Sequence, residues 1–223
     1  MGKYLLFDAD GTLYDFNATE SIALKDIFRY YRIPYTEANI SIYHECNDFC
    51  WDQFEKGLMN QEKLKGYRFR LFFDRLGLSI SDNEAGNLFL RMLSKHGIML
   101  PGAVDFLNSI EDRRKAIITN GIAEVQHGRI DGSNTRGYFE RIFISEEIGS
   151  NKPDPAFFHT VLNALRLSPE ECIVIGDSEK SDIQGAINAG IESIYINFRG
   201  MKSDKATYSV SSFDELKRLI DSI

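Results

Sequence analysis

Leu5-Leu6-Phe7-Asp8-Ala9-Asp10-Gly11-Thr12 joins a short apolar run to two carboxylates and a glycine. The apolar run predicts a buried strand over residues 4–8, and the glycine marks the turn that ends it. Both carboxylates then stand at the carboxyl end of a strand, the edge at which open α/β sheets bind ligands. Two like charges this close repel each other and resist desolvation. A nearby cation would relieve that cost. A plain polar turn has the same composition, so the rest of the chain must decide between the two.

From Pro101 onward, apolar runs alternate with helical stretches. The runs are Ala116-Ile117-Ile118, Ile142-Phe143-Ile144, Ile173-Val174-Ile175 and Ser193-Ile194-Tyr195-Ile196. Helices are predicted near 103–111, 122–131, 155–166, 179–189 and 213–221. Continuous apolar strands separated by helices indicate a parallel sheet covered on both faces. Between Phe16 and Ser94 the texture changes. Apolar residues recur every three or four positions there, with breaks near Ile33-Pro34, Lys56-Gly57 and Leu76-Gly77. The reading is an α/β fold: a doubly wound parallel-sheet core of residues 1–15 and 95–223, with an α-helical domain, 16–94, inserted after the first strand. One segment departs from the pattern. Gly128 and Gly132 fall where a helix should continue, and each interior glycine costs about 1 kcal/mol relative to alanine. The helix near 122 is therefore expected to end early or to be mobile, and His127 to lie on the surface.

The 223 residues, 43% hydrophobic with 16 Phe, suffice for a packed core. A formal charge of −7 argues against nucleic-acid polymers and anionic membranes as partners. An anionic small molecule would need a local cationic site or a metal. No apolar run reaches the roughly 18 residues of a membrane span. Met1-Gly2-Lys3-Tyr4 leads straight into the first strand, so no signal peptide is expected. Of three cysteines, Cys46 and Cys50 would share a helix face with Phe54. They read as core or semi-buried thiols in a reducing, cytoplasmic compartment.

The predicted strands end in polar residues. The first ends in Asp8 and Asp10, the second in Thr119-Asn120-Gly121, and a later one in Gly176-Asp177-Ser178 with Asp182 five residues past Asp177. Asn151-Lys152-Pro153-Asp154-Pro155 opens a helix between them. Parallel strands bring their carboxyl ends to one edge, so these residues can converge. Several carboxylates suit a hard divalent cation such as Mg²⁺. Thr119, Lys152 and free amides near Thr119–Gly121 suit phosphate oxygens. Singly, each residue has an ordinary role as a cap, loop or turn residue. Together and in this order, they form a phosphoryl-transfer constellation.

Asp8-Ala9-Asp10-Gly11-Thr12, Thr119, Lys152, and Gly176-Asp177 with Asp182 resemble the four ordered motifs of the haloacid dehalogenase superfamily. The helical insertion resembles that family's small cap. The resemblance implies that Asp8 is a nucleophile forming an aspartyl-phosphate and that Asp10 is the general acid and base. It implies Mg²⁺ held by Asp8, the backbone carbonyl of Asp10, and Asp177, with Asp182 supporting the site from behind. Thr119, Asn120 and Lys152 would bind phosphate oxygens. An acid two residues after the nucleophile points to phosphotransfer over dehalogenation, because phosphate esters have poor leaving groups.

A finer likeness involves Leu100-Pro101-Gly102, Ile117-Ile118-Thr119-Asn120-Gly121, and Ile144-Ser145-Glu146-Glu147-Ile148-Gly149. These segments, with Asn47, Trp51 and Arg68-Phe69, look like the YjjG-type pyrimidine 5′-nucleotidases. The expected substrate is thus a small phosphate ester, a pyrimidine nucleoside 5′-monophosphate first, with Asn47, Trp51 and Arg68 as substrate contacts. The alternatives are a sugar-phosphate phosphatase and a β-phosphoglucomutase-like phosphomutase. Trp51 also reads as helical-bundle core, and Arg68 as part of a solvated helix face.

Overall fold

The computed structural model describes residues 2–223. In chain order the elements are β1 (Tyr4–Phe7), α1 (Phe16–Tyr30), α2 (Glu37–Glu55), α3 (Gln61–Leu76), α4 (Asp82–Ser94), α5 (Ala103–Ser109), β2 (Lys115–Thr119) and α6 (Ala123–Gly132). They continue with β3 (Arg141–Ile144), α7 (Ser145–Ile148), α8 (Pro155–Leu165), β4 (Cys172–Gly176), α9 (Gln184–Ala189), β5 (Glu192–Ile196), β6 (Tyr208–Val210) and α10 (Phe213–Ser222). Two compact units result. The first comprises Met1–Phe16, Gly97–Ala123 and Ile130–Ile223, and the second Asn17–His96 and Glu124–Arg129. No helix of the described residues is long and apolar enough to cross a membrane.

The first unit is built on a six-stranded sheet of order β3-β2-β1-β4-β5-β6, parallel throughout. Side chains alternate across a strand, and here both sets are apolar. Leu5, Phe7, Ile117, Ile173 and Ile175 face one core cluster with Phe106 and Leu107 of α5 and Leu216 and Ile220 of α10. Tyr4, Leu6, Ala116, Ile118 and Val174 face the other, with Phe157, Phe158 and Val161 of α8 and Ala186 of α9. This two-sided burial explains why the strands read as continuous apolar runs. Strand β6 escapes the sequence reading because Tyr208-Ser209-Val210 is short, partly polar and at the sheet edge.

The helical unit is held by aromatic rings. Phe28 stacks on Phe72 at 5.4 Å, and Tyr43 meets Phe69, Phe72 and Phe89 within 6 Å. Three of its helices start where a side-chain oxygen accepts a backbone N–H: Thr36 from Asn39, Asn60 from Lys63, and Ser81 from Glu84. Such caps stabilise a helix by about 1 kcal/mol each. They fall just after the predicted breaks. Cys46, Cys50 and Phe54 are buried on one face of α2.

One expectation fails here. Helix α6 does not end early but runs through Gly128 to Gly132. A Cβ at Gly128 would lie 2.7 Å from the Ser94 carbonyl oxygen. The glycine permits a close approach within the second unit, and the packing offsets its low helix propensity. His127 is exposed, as expected.

Candidate active site

The central strands β1, β2 and β4 are neighbours, and the order of the sheet reverses around β1. Phe7 is in register with Ile117 and Ile175, so Asp8, Thr119 and Asp177 leave the sheet at one edge. The Asp8 amide still donates to the Ile175 carbonyl at 2.8 Å, which fixes where its side chain begins.

Lys152 reaches this edge from the loop before α8. Its ammonium is 1% exposed and donates to Asp8 Oδ1 at 2.7 Å, Asp182 Oδ1 at 2.7 Å and the Ile118 carbonyl at 2.9 Å. An ammonium has three donors, and all three are engaged. Lys152 therefore has no spare N–H for a phosphate oxygen in this arrangement. Its charge and one of its N–H groups are instead committed to Asp8 Oδ1. The Asn120 side chain, also expected on phosphate, instead binds the main chain of Lys152. It donates to Lys152 O at 2.8 Å and accepts from Lys152 N at 2.9 Å. Thr119 Oγ1 accepts from the Gly121 amide at 3.0 Å, which caps the turn after β2.

Asp182 lies on a wide π-type turn, Glu179–Ile183, that follows β4. Its second oxygen accepts from the Ser178 amide at 3.1 Å, so both of its oxygens are committed to the protein. Thr12, to which the sequence reading gives no role, is fully buried between the other two acids. Its hydroxyl is 3.4 Å from Asp8 Oδ2 and 3.5 Å from Asp177 Oδ1. Gly11 (φ +82°) turns beneath Asp177, and a Cβ there would fall 2.2 Å from Asp177 Oδ2. Thr12 and Gly11 could be found from sequence only by noting that the turn must admit a carboxylate.

Electrostatics follow from burial. Desolvation pushes the Asp8 carboxyl well above its ordinary range, and Asp182 and Asp177 add to the rise against Lys152. Desolvation, then Asp182, raise Asp177 to about 7. Burial alone would depress Lys152, but Asp182 and Asp8 outweigh it and keep the ammonium charged. Oxygens of Asp8, Asp177 and Asp182 lie within 4.8 Å of one another. Three acids around one ammonium would carry, when all are ionised, an excess of two negative charges, which a divalent cation would neutralise. The donors are all oxygen, as Mg²⁺ prefers. The cluster of Asp8, Asp177 and Asp182 could therefore hold such an ion.

Asp10 is partly exposed beside this cluster and contributes to the rise at Asp177. The other sequence candidates belong to the helical unit. Asn47 and Arg68 are bonded to each other, Arg68 Nη1 donating to Asn47 Oδ1 at 3.2 Å. Arg68 is 1% exposed, which overturns its reading as a solvated face. Its guanidinium lies over Phe89 at 4.8 Å and near Glu20, which accepts from Tyr43 and Asn47. Burial of a cation over aromatic faces next to a carboxylate is not visible in helical spacing alone. Trp51 is half-buried, edge-on to Phe54 at 5.6 Å.

A protein-family model described as a haloacid dehalogenase-like hydrolase matches residues 3–190. Pyrimidine 5′-nucleotidase PynA of Streptococcus pneumoniae is 32% identical over 98% of this chain and 95% of its own length. Pyrimidine 5′-nucleotidase YjjG of Escherichia coli is 31% identical over 97% of each chain. Among solved structures, magnesium-bound YfnB of Bacillus subtilis superposes with a TM-score of 0.93 at 29% identity, covering 99% of both chains. An L-2-haloacid dehalogenase of Xanthobacter autotrophicus has a TM-score of 0.76 at 17% identity over the full length of both, a likeness of fold.

Proposed function

The chain belongs to the haloacid dehalogenase-like hydrolases, and from that premise we propose a Mg²⁺-dependent phosphomonoesterase that acts on pyrimidine nucleoside 5′-monophosphates through an aspartyl-phosphate. The observation that carries the chemistry is the Lys152 ammonium shared between Asp8 Oδ1 and Asp182 Oδ1. It holds one oxygen of Asp8 and leaves Oδ2 to attack.

In the first half-reaction, Asp8 Oδ2 bonds to phosphorus as the bond to the ester oxygen breaks. Asp10 gives its proton to that leaving oxygen. In the second, Asp10 takes a proton from water, the water oxygen bonds to phosphorus, and the Asp8–phosphorus bond breaks to release phosphate. A carboxylate nucleophile divides one hard displacement into two. Thr119 and the amides near Thr119–Gly121 would hold the phosphoryl oxygens. Lys152 offsets the developing charge without donating to them. Mg²⁺, held by Asp8, Asp177 and the Asp10 carbonyl, would supply further charge stabilisation.

The substrate class is supported by the likeness to PynA and YjjG over nearly the whole chain. For the base, Asn47, Trp51 and Arg68 are the candidates of the helical unit. Arg68 Nε and Nη2 are buried and reach no hydrogen-bond acceptor among the described residues. The test is phosphate release with Mg²⁺ from uridine, thymidine and adenosine 5′-monophosphates, p-nitrophenyl phosphate and glucose 1-phosphate. Pyrimidine nucleotides should turn over fastest, and Asp8→Asn should abolish all release. Failure on every ester, or conversion of glucose 1-phosphate to the 6-phosphate faster than phosphate release, would overturn the proposal.

A further inference from the structure

The segment at the end of α6, Gly132-Ser133-Asn134-Thr135, has no role in the site of Asp8 and Lys152, yet it holds a buried residue of the nucleophile loop. Tyr14 is fully buried, and its hydroxyl bonds to Thr135 Oγ1 and to Ser133 Oγ at 3.3 Å, partners 121 and 119 residues away. Ser133 and Thr135 bond to each other at 2.8 Å, and Ser133 Oγ donates to the Ile130 carbonyl at 3.0 Å. The three hydroxyls can therefore be satisfied in one direction, from Tyr14 to Thr135 to Ser133 to the carbonyl at the end of α6.

The main chain of Tyr14 faces the other way, onto Asp10. Tyr14 N donates to Ala9 O at 2.9 Å, and Gly11 N donates to Tyr14 O at 2.9 Å. Asp10 and Tyr14 form an isolated β-bridge. Both peptide groups that flank Asp10 are thus bonded to Tyr14. A trans peptide is a rigid plane in which N–H and C=O point in opposite directions. Holding the Gly11 N–H on Tyr14 O therefore sets the direction of the Asp10 carbonyl, and holding Ala9 O on Tyr14 N fixes the other side of Asp10.

We propose that Tyr14 is the positioning residue for Asp10, anchored by the Ser133–Thr135 hydroxyl pair, and that this anchor sets both the aim of the Asp10 carboxyl and the orientation of the carbonyl available to Mg²⁺. The inference rests on the roles given to Asp8 and Asp10 under the proposed function. Small angular errors matter there, because a group misplaced by about 1 Å can cost a hundredfold in rate. The Gly-containing segment then has a function that local sequence cannot show: it carries the anchor.

The test uses the full-length protein with Tyr14→Phe, Thr135→Val and Thr135→Ser. Mg²⁺ affinity is measured by isothermal titration without substrate, alongside kcat and KM on uridine 5′-monophosphate and thermal melting. Tyr14→Phe and Thr135→Val should each weaken Mg²⁺ binding about fivefold or more and lower kcat about tenfold with little change in KM. Thr135→Ser, which keeps the hydroxyl, should restore both. Parent-like Mg²⁺ affinity in Tyr14→Phe and Thr135→Val, whatever their melting temperatures, would overturn the inference. So would a Thr135→Ser variant as impaired as Thr135→Val. If the parent protein binds Mg²⁺ but releases no phosphate from any ester, the proposed function fails while the titrations still test the anchor.

Discussion

Asn120 and Lys152 exchange two hydrogen bonds, the side-chain amide of one closing on the main-chain N–H and C=O of the other at 2.9 and 2.8 Å. The pair ties the turn after β2 to the loop before α8. It also sets the point from which the Lys152 side chain reaches Asp8.

Asn120→Ala should therefore act on rate more than on substrate binding. Each lost bond is worth about 1 kcal/mol of stability, so urea unfolding should show a loss of about 1–3 kcal/mol. A fall in kcat of about 10- to 100-fold is expected, with KM changed only a few-fold. A variant with parental kcat would show that Lys152 is placed without Asn120.

Lys152→Met should be costlier. It leaves Asp8 and Asp182 facing each other without their shared cation, and removing one partner of a buried pair costs about 3–5 kcal/mol. Unfolding in metal-free buffer should show that loss. Mg²⁺ should recover part of it by supplying charge to the same acids. A metal-free loss below about 1 kcal/mol would mean that the acids take up protons at little cost.

Mg²⁺ should raise the melting temperature in proportion to the logarithm of its concentration. Binding to the native state alone contributes about 2.7 kcal/mol at one hundred times the dissociation constant. Chelation with EDTA should reverse the shift and remove phosphatase activity together. Asp177→Asn should flatten the concentration dependence, because it removes one acid of the Asp8, Asp177 and Asp182 group. An unchanged melting curve from micromolar to millimolar Mg²⁺ would count against a site there.

A pH effect is expected away from the site. Arg114 holds Glu140 in a two-bond pair, Nε to Oε1 at 2.9 Å and Nη2 to Oε2 at 3.0 Å. That hydrogen bonding draws the Glu140 carboxyl below its ordinary value of 4.5. A carboxyl depressed in the folded state binds fewer protons than the unfolded chain in that window. Its stabilisation is complete above 4.5 and is lost as pH falls through the folded value. The pair is exposed, so the effect should stay within about 1 kcal/mol. Glu140→Gln should lower stability at pH 7 by that small amount and make the decline below pH 4.5 shallower. A variant with the parent's acid limb would place the loss elsewhere.

The parallel sheet was legible because burial on both faces leaves a local signature: uninterrupted apolar runs such as Ile173-Val174-Ile175 between helices. The polar residues after those runs could be assigned to one edge for the same reason, since parallel strands end together. The likeness of the ordered motifs then supplied candidate roles. Helix breaks in the inserted unit were legible from Pro34, Gly57 and Gly77 because backbone restriction is also local. Where a local rule met a tertiary demand, it failed. The propensity cost at Gly128 gave way to the close approach to Ser94, and the apparent solvent face at Arg68 turned inward over Phe89.

Sequence by itself determined the α/β class and which carboxylates stand at strand ends, because periodicity and turn chemistry act within a few residues. Only the tertiary structure decided how those groups are used. It showed that the three donors of Lys152 are all engaged, that Asn120 serves Lys152, and that Tyr14 is held from Ser133 and Thr135. The physical reason is that a hydrogen bond selects its partner by distance and angle in the assembled sheet. Partners 30 to 144 residues apart leave no local pattern to read.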